Sequence, residues 1–98
     1  MQINKTVTGD TLTYALSGRL DTTTAPEFEA ALKTSLDDVR HLVLDFSDLE
    51  YISSSGLRVL LAAQKVMSRQ GDMVVMHVND SIMEVFEITG FSDLLTIQ

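Results

Sequence analysis

The sequence has no cysteine and no tryptophan, and only one proline and five glycines among its 98 residues. Without cysteine there is neither a disulfide framework nor a thiolate metal site, and a reducing cytoplasm is the expected setting. Basic residues are scarce as well: seven Lys and Arg stand against fourteen Asp and Glu, giving a formal net charge of -7. A chain so charged repels nucleic-acid phosphates and anionic lipid surfaces, so neither is an expected partner. The longest strongly apolar stretch, Val59 to Ala63, falls far short of the ~20 residues needed to cross a bilayer. The alternating start Met1-Gln2-Ile3-Asn4-Lys5-Thr6 is unlike an export signal. A soluble protein with no membrane insertion is expected.

Recognisable catalytic and metal motifs are missing too. His41 and His77 are the only histidines, they show no His-Glu-x-x-His spacing, and no acidic calcium loop or Gly-rich phosphate loop occurs. The serines lack a Gly-x-Ser-x-Gly elbow, and both histidines fall at or within expected strands, where a structural role is the ordinary one. No catalytic residue, no metal and no cofactor of the chain's own is therefore expected. The five methionines fall mainly on core faces and read as packing residues.

What is present reads as one α/β domain covering residues 1–98. Hydrophobic residues make up 45% and charged residues 21%, enough apolar surface for one core and too short a chain for two. Residues 2 to 7 and 11 to 17 alternate around Thr8-Gly9-Asp10 and predict a hairpin, with Gly18 closing the second strand. Thr24-Ala25-Pro26-Glu27 opens a helix as a capping box, with Phe28, Ala31, Leu32 and Leu36 on one face. His41-Leu42-Val43-Leu44-Asp45-Phe46 predicts a central strand covered on both sides.

Helical periodicity from Ser55 to Gln70 places Leu57, Val59, Leu60, Ala63, Val66 and Met67 on a core arc, with Arg58, Leu61, Ala62, Lys65, Ser68 and Arg69 opposite. Gly71 then ends that helix as a C′ glycine. Met73 to Val78 predicts another buried strand, Asn79 caps a short helix ended by Gly90, and Phe91 to Ile97 packs back as a tail. Two strand-helix-strand units imply right-handed parallel crossovers, and the opening hairpin makes the sheet mixed, with four strands and three to four helices on it.

Chemistry centres on Leu49-Glu50-Tyr51-Ile52-Ser53-Ser54-Ser55-Gly56-Leu57-Arg58, between a strand and the longest helix. Its hydroxyls are expected at the carboxyl edge of the sheet, where open α/β proteins place their sites. Serines at a helix start also serve as ordinary caps, and spacing alone favours that role.

Asp45-Phe46 together with Tyr51-Ile52-Ser53-Ser54-Ser55-Gly56-Leu57-Arg58-Val59-Leu60-Leu61 resembles the signature of the STAS domain family, in its anti-sigma factor antagonist branch. The resemblance extends to Leu16-Ser17-Gly18-Arg19-Leu20-Asp21 and Ile88-Thr89-Gly90-Phe91. It implies that Ser55, the serine directly before the glycine, is phosphorylated, with Ser54 and Ser53 as secondary candidates. Many family members carry an acidic residue at the position of Ser53 and others a serine, so this position bears on kinase recognition. The unmodified form would bind an anti-sigma factor that is itself a serine kinase, phosphorylation would end that complex, and a serine/threonine phosphatase would reset it. ATP would be supplied by the kinase.

The docking surface expected on this resemblance comprises Asp21, Thr22, Thr23, Ser53, Ser54, Gly56, Arg58, Leu61 and Lys65. The stripe Arg58, Leu61, Lys65 reads equally as an ordinary solvated helix face. The rival reading is a non-switching STAS subunit docked on a transport ATPase in a lipid-transport complex, for which an intact Ser55-Gly56 pair is not needed. A scaffold in a larger stress-signalling assembly would need further domains or self-association. A free monomer is the expected state.

Overall fold

A computed structural model describes residues 1–98. Strand β1 (Gln2–Thr8) turns through Gly9 and Asp10 into β2 (Thr11–Leu20). The turn holds Gly9 at φ +61°, a glycine-first two-residue loop whose twist matches that of the flanking strands. Helix α1 (Ala25–Lys33) leads to β3 (His41–Ile52), α2 (Ser54–Gln70) to β4 (Asp72–Met76), and α3 (Asp80–Thr89) with the short α4 (Phe91–Leu94) to β5 (Thr96–Ile97). The sheet order is β1-β2-β3-β4-β5, antiparallel at the first pair and parallel at the other three. No helix is long and apolar enough to cross a membrane.

The mixed α/β architecture is the one expected, with a fifth strand added. The tail after Gly90 packs back as a single helical turn and then as β5, pairing Thr96 with Val74 and Ile97 with Val75. Two residues are too few for an alternation pattern to announce them.

Because the strand order never reverses, successive right-handed crossovers deliver the helices to the same face of the sheet. This corrects the expectation of a central strand covered on both sides. In β3 the buried residues Leu42, Leu44 and Phe46 alternate with half-buried Val43 and Asp45, and in β4 buried Met73 and Val75 alternate with half-buried Val74 and Met76. The open face is apolar enough at Val43 and Val74 to hide the alternation from the sequence.

The covered face holds a core of 23 buried residues, all apolar or aromatic. Tyr14 packs edge-on against Phe28, ring centroids 5.7 Å apart, and its hydroxyl bonds the Ala31 carbonyl at 3.2 Å and Ser35 Oγ at 2.7 Å. Val66, expected in this core, is 41% exposed and lines an open depression with Leu32 and Leu36.

Local signals were met in part. Asn79 caps α3 by accepting the Ile82 N–H at 2.8 Å, and Gly90 ends that helix at φ +81°. Thr24 stands at the N-cap of α1 without making a capping bond, because its hydroxyl donates instead to the Arg19 carbonyl at 2.7 Å. Gly18 does not close β2; it lies between two register shifts at φ +89°, and the strand runs on to Leu20. Gly71 is extended rather than left-handed. A side chain there would run into the carbonyl of Arg40, so close backbone approach requires the glycine.

Candidate functional site

β3 extends six residues beyond the expected Phe46, and this extension builds the site. It pairs with β2 through two register shifts, to Ser17↔Asp48 and then Arg19↔Tyr51 and Leu20↔Ile52, so β3 carries extra residues against β2. Such bulges bend a strand and increase its local twist. β4 has already ended opposite Asp45. In its place the Asn79 side chain, besides capping α3, donates from Nδ2 to the Leu49 carbonyl at 3.0 Å and ties α3 to the extension.

The chain passes from Ile52 directly into α2. The Ser53 N–H donates to the Leu20 carbonyl at 2.9 Å, and Ser53 Oγ accepts the Gly56 N–H at 3.4 Å as the N-cap. Gly56 is buried, and a Cβ there would lie 2.7 Å from Ile52 Cγ1 and 3.0 Å from the Leu20 carbonyl oxygen. A glycine therefore lets the first turn of α2 lie directly on the ends of β2 and β3. Only through that backbone does Gly56 shape the surface expected around it.

The three serines occupy different environments. Ser53 is engaged in the cap, Ser54 is exposed, and Ser55 is half-buried with its Oγ 3.3 Å from Thr22 Oγ1. Across from them the loop after β2 is organised by Asp21. Its Oδ1 accepts from the Thr23 hydroxyl at 2.7 Å and from the N–H groups of Thr23 and Thr24 at 3.0 and 3.2 Å. The Thr23 hydroxyl above all, helped by those N–H groups against partial desolvation, holds the Asp21 carboxyl below its ordinary value. Arg19 stacks its guanidinium 4.2 Å above the Tyr51 ring and reaches Asp21 Oδ2 at 3.7 Å.

Thr22, Ser55 and Arg58 share one depression of about 260 Å³ with Pro26 and Glu29 of α1. Thus Asp21, Thr22, Thr23 and the serines meet at one edge of the sheet. Arg58, Leu61 and Lys65 follow along α2, Leu61 half-buried and the other two exposed. The sequence reading missed Arg19, Tyr51 and Glu29. The first two are a cross-strand pair that becomes visible only once the register shifts are known, and Glu29 enters only through the packing of α1 beside α2.

No group of three or more His, Asp or Glu side chains is placed to hold a metal ion. Each histidine is engaged by a carboxylate, His41 by Asp72 at 3.0 Å and His77 by Asp45 at 2.9 Å, and neither bonds a site serine. The hydrogen bond from His77, supported by the Ser47 N–H, holds the Asp45 carboxyl below its ordinary value despite partial burial. What the edge offers chemically is an accessible hydroxyl, Ser55, in the first turn of a helix, where N–H groups lack intrahelical acceptors and favour negative charge.

The STAS domain family model matches residues 2–98. BtrV of Bordetella bronchiseptica, which carries the name of an anti-sigma factor antagonist, is 39% identical over 88 residues, covering 88% of this chain and 76% of its own. The anti-sigma-B factor antagonist of Listeria monocytogenes is 32% identical over 91 residues, covering 91% and 80% respectively. In fold the chain is similar to the anti-sigma factor antagonist SpoIIAA in its unphosphorylated form, with a TM-score of 0.77 and 19% identity over 99% of this chain and 87% of that one. The phosphorylated form of SpoIIAA, a Bacillus cell fate determinant, gives the same TM-score of 0.77 at 20% identity, over 99% and 91%. The chain therefore belongs to the STAS domain family, in its anti-sigma factor antagonist branch.

Proposed function

We propose that this protein is an anti-sigma factor antagonist that works by partner switching in the cytoplasm. Unmodified, it binds an anti-sigma factor that is also a serine kinase; phosphorylation of Ser55 by that kinase ends the complex, and a serine/threonine phosphatase restores it. ATP is the kinase's, and the free antagonist is a monomer without catalytic activity of its own. The observation that carries this reading is the Ser55 hydroxyl, half-exposed in the first turn of α2 with only a 3.3 Å hydroxyl neighbour. Ser53 is taken up by the cap and Ser54 faces solvent without a neighbour across the loop. The names of the relatives favour the switch over a constitutive subunit of a transport ATPase.

A phosphate on Ser55 adds about -1.5 to -2 charges. At a helix N-terminus the macrodipole tolerates that charge, so the fold survives. Pressed against a partner, the same group must be desolvated, and Glu29 in the shared depression already contributes a negative charge there. Binding is lost while the structure is kept. The test is incubation with the anti-sigma kinase of the same organism and ATP, followed by peptide mass spectrometry of the protein and of Ser55→Ala. One phosphate on Ser55, absent from the variant, is expected; a wild type that is never modified overturns the reading.

A further inference from the structure

Helix α2 is out of keeping with the rest of the chain. It carries three of the seven basic residues, Arg58, Lys65 and Arg69, and no acidic residue, in a protein of net charge -7. Along the same helix Ser55, Val59, Ala62 and Val66 stand at i, i+4, i+7 and i+11, one row on one face. That row forms a wall of a groove against α1. Beyond the Ser55 depression a second one of about 300 Å³ is floored by Leu32 and Leu36 on one side and Ala62 and Val66 on the other, with Glu29, Lys33 and Asp37 along its α1 rim, so the uniformly basic edge is that of α2. Glu29 and Val59 line both depressions, so the two lie end to end along α2. The groove therefore starts at Ser55 and continues to Val66, about 16 Å at 1.5 Å of rise per residue.

We propose that this groove, apolar along its floor and cationic along its α2 edge, is the docking site for a three-turn amphipathic helix of the partner whose carboxylates face Arg58, Lys65 and Arg69. The proposal rests on the switch reading above and extends it. A row with this spacing, set between two helices, takes the ridge of a third helix rather than an extended strand. Charge selects the occupant. A second copy of this chain packed with its α2 on this α2 across a two-fold contact would oppose basic to basic, whereas an acidic helix complements that edge. Since Ser55 stands at one end of the row, a phosphate there fills the mouth of the groove, and modification and docking compete for the same space.

The experiment measures binding of the anti-sigma kinase in ADP, and its phosphorylation of Ser55, for Ala62→Glu, Val66→Glu and the double variant Lys65→Glu/Arg69→Glu. Leu94→Glu, exposed on α4, is the control. All of the altered side chains are exposed, and circular dichroism verifies that each variant folds. The three groove variants are expected to raise Kd at least tenfold, with the control within twofold of wild type, and the charge-reversed double variant is expected to lose most of the salt dependence of binding. Unchanged Kd in Ala62→Glu and Val66→Glu, with Ser55 still modified, overturns the groove and leaves the switch standing. Unchanged Kd and salt dependence in the double variant overturns the acidic helix. A wild type that neither binds the kinase nor is modified by it overturns both.

Discussion

The two ends of the parallel strands are built to opposite ends. At the amino end distant parts of the chain are closed on one another. Gln70 Nε2 donates to the carbonyls of Leu36 and Val39 at 2.6 and 2.7 Å, Asp72 N–H to the Arg40 carbonyl at 2.9 Å, and the N–H groups of Arg40 and His41 to the Asp10 carbonyl at 2.9 and 3.2 Å. At the carboxyl end the bonds of the serine hydroxyls are longer, 3.3 Å at Ser55 and 3.4 Å at the Ser53 cap, although the Ser53 N–H and the Asp21 loop are held at 2.9 and 2.7 Å. The closures at the amino end tie distant segments of backbone together, while the Ser55 hydroxyl has only one neighbour, itself a hydroxyl. The proposed switch thus lies at the edge opposite these closures, with the apolar core between the two.

Gly71→Ala attacks the amino end most directly, because its methyl meets Arg40 backbone rather than a movable side chain. A loss of about 3 kcal/mol in chemical denaturation is expected, with the phosphorylation rate of the folded fraction unchanged. A lower rate would mean that the two edges are coupled.

Gly56→Ala strikes the other edge. Its methyl meets the Ile52 and Leu20 side chains and the Leu20 carbonyl, and the helix-favouring change offsets part of that strain. The net loss is about 1–2 kcal/mol. Here kcat/KM for phosphorylation of Ser55 falls too, since the first turn of α2 must lift. Full activity in the folded variant would show that the turn need not sit on β2 and β3.

A smaller effect is expected of Ser53→Ala, which removes the N-cap at the cost of about 1 kcal/mol, with Ser53→Asp restoring it. Smallest of all is the exposed His41–Asp72 pair. The hydrogen bond and charge of Asp72 raise the pKa of His41 above its ordinary 6.5, so the protonated form is favoured in the folded state. The contribution is fully present below 6.5 and is lost as pH rises through the raised folded value. Asp72→Asn should accordingly lower Tm more at about pH 5.5 than at about pH 8.5. An equal shift at both would show the pair to be without consequence.

The sequence announced what repeats and hid what occurs once. The 3.6-residue period of α2 and the glycine-first turn of the hairpin were readable because each is a local pattern. Coverage of β3 was not, since Val43 and Val74 are apolar for reasons of strand packing on a half-open face. Nor was the length of β3, whose bulges opposite Ser17 and Arg19 break the alternation that marks a strand. Gly71 was found but for the wrong cause: the approach of Arg40 is a tertiary contact, invisible to helix-end rules. At the site, Ser55 and the Asp21-Thr22-Thr23 loop came from resemblance, whereas Arg19 over Tyr51 needed the register itself.

The central claim is that one phosphate on Ser55 abolishes partner binding without disturbing the fold. Its most direct measurement is the affinity of the anti-sigma kinase in ADP for the unmodified and the Ser55-phosphorylated protein, alongside the amide NMR spectrum of each. The account predicts loss of binding by at least a hundredfold, with shifts confined to the Asp21–Thr24 loop and the first turns of α1 and α2 (~2.7 kcal/mol by the affinity scale). Equal affinity, or spectral change spread through the core, would contradict it.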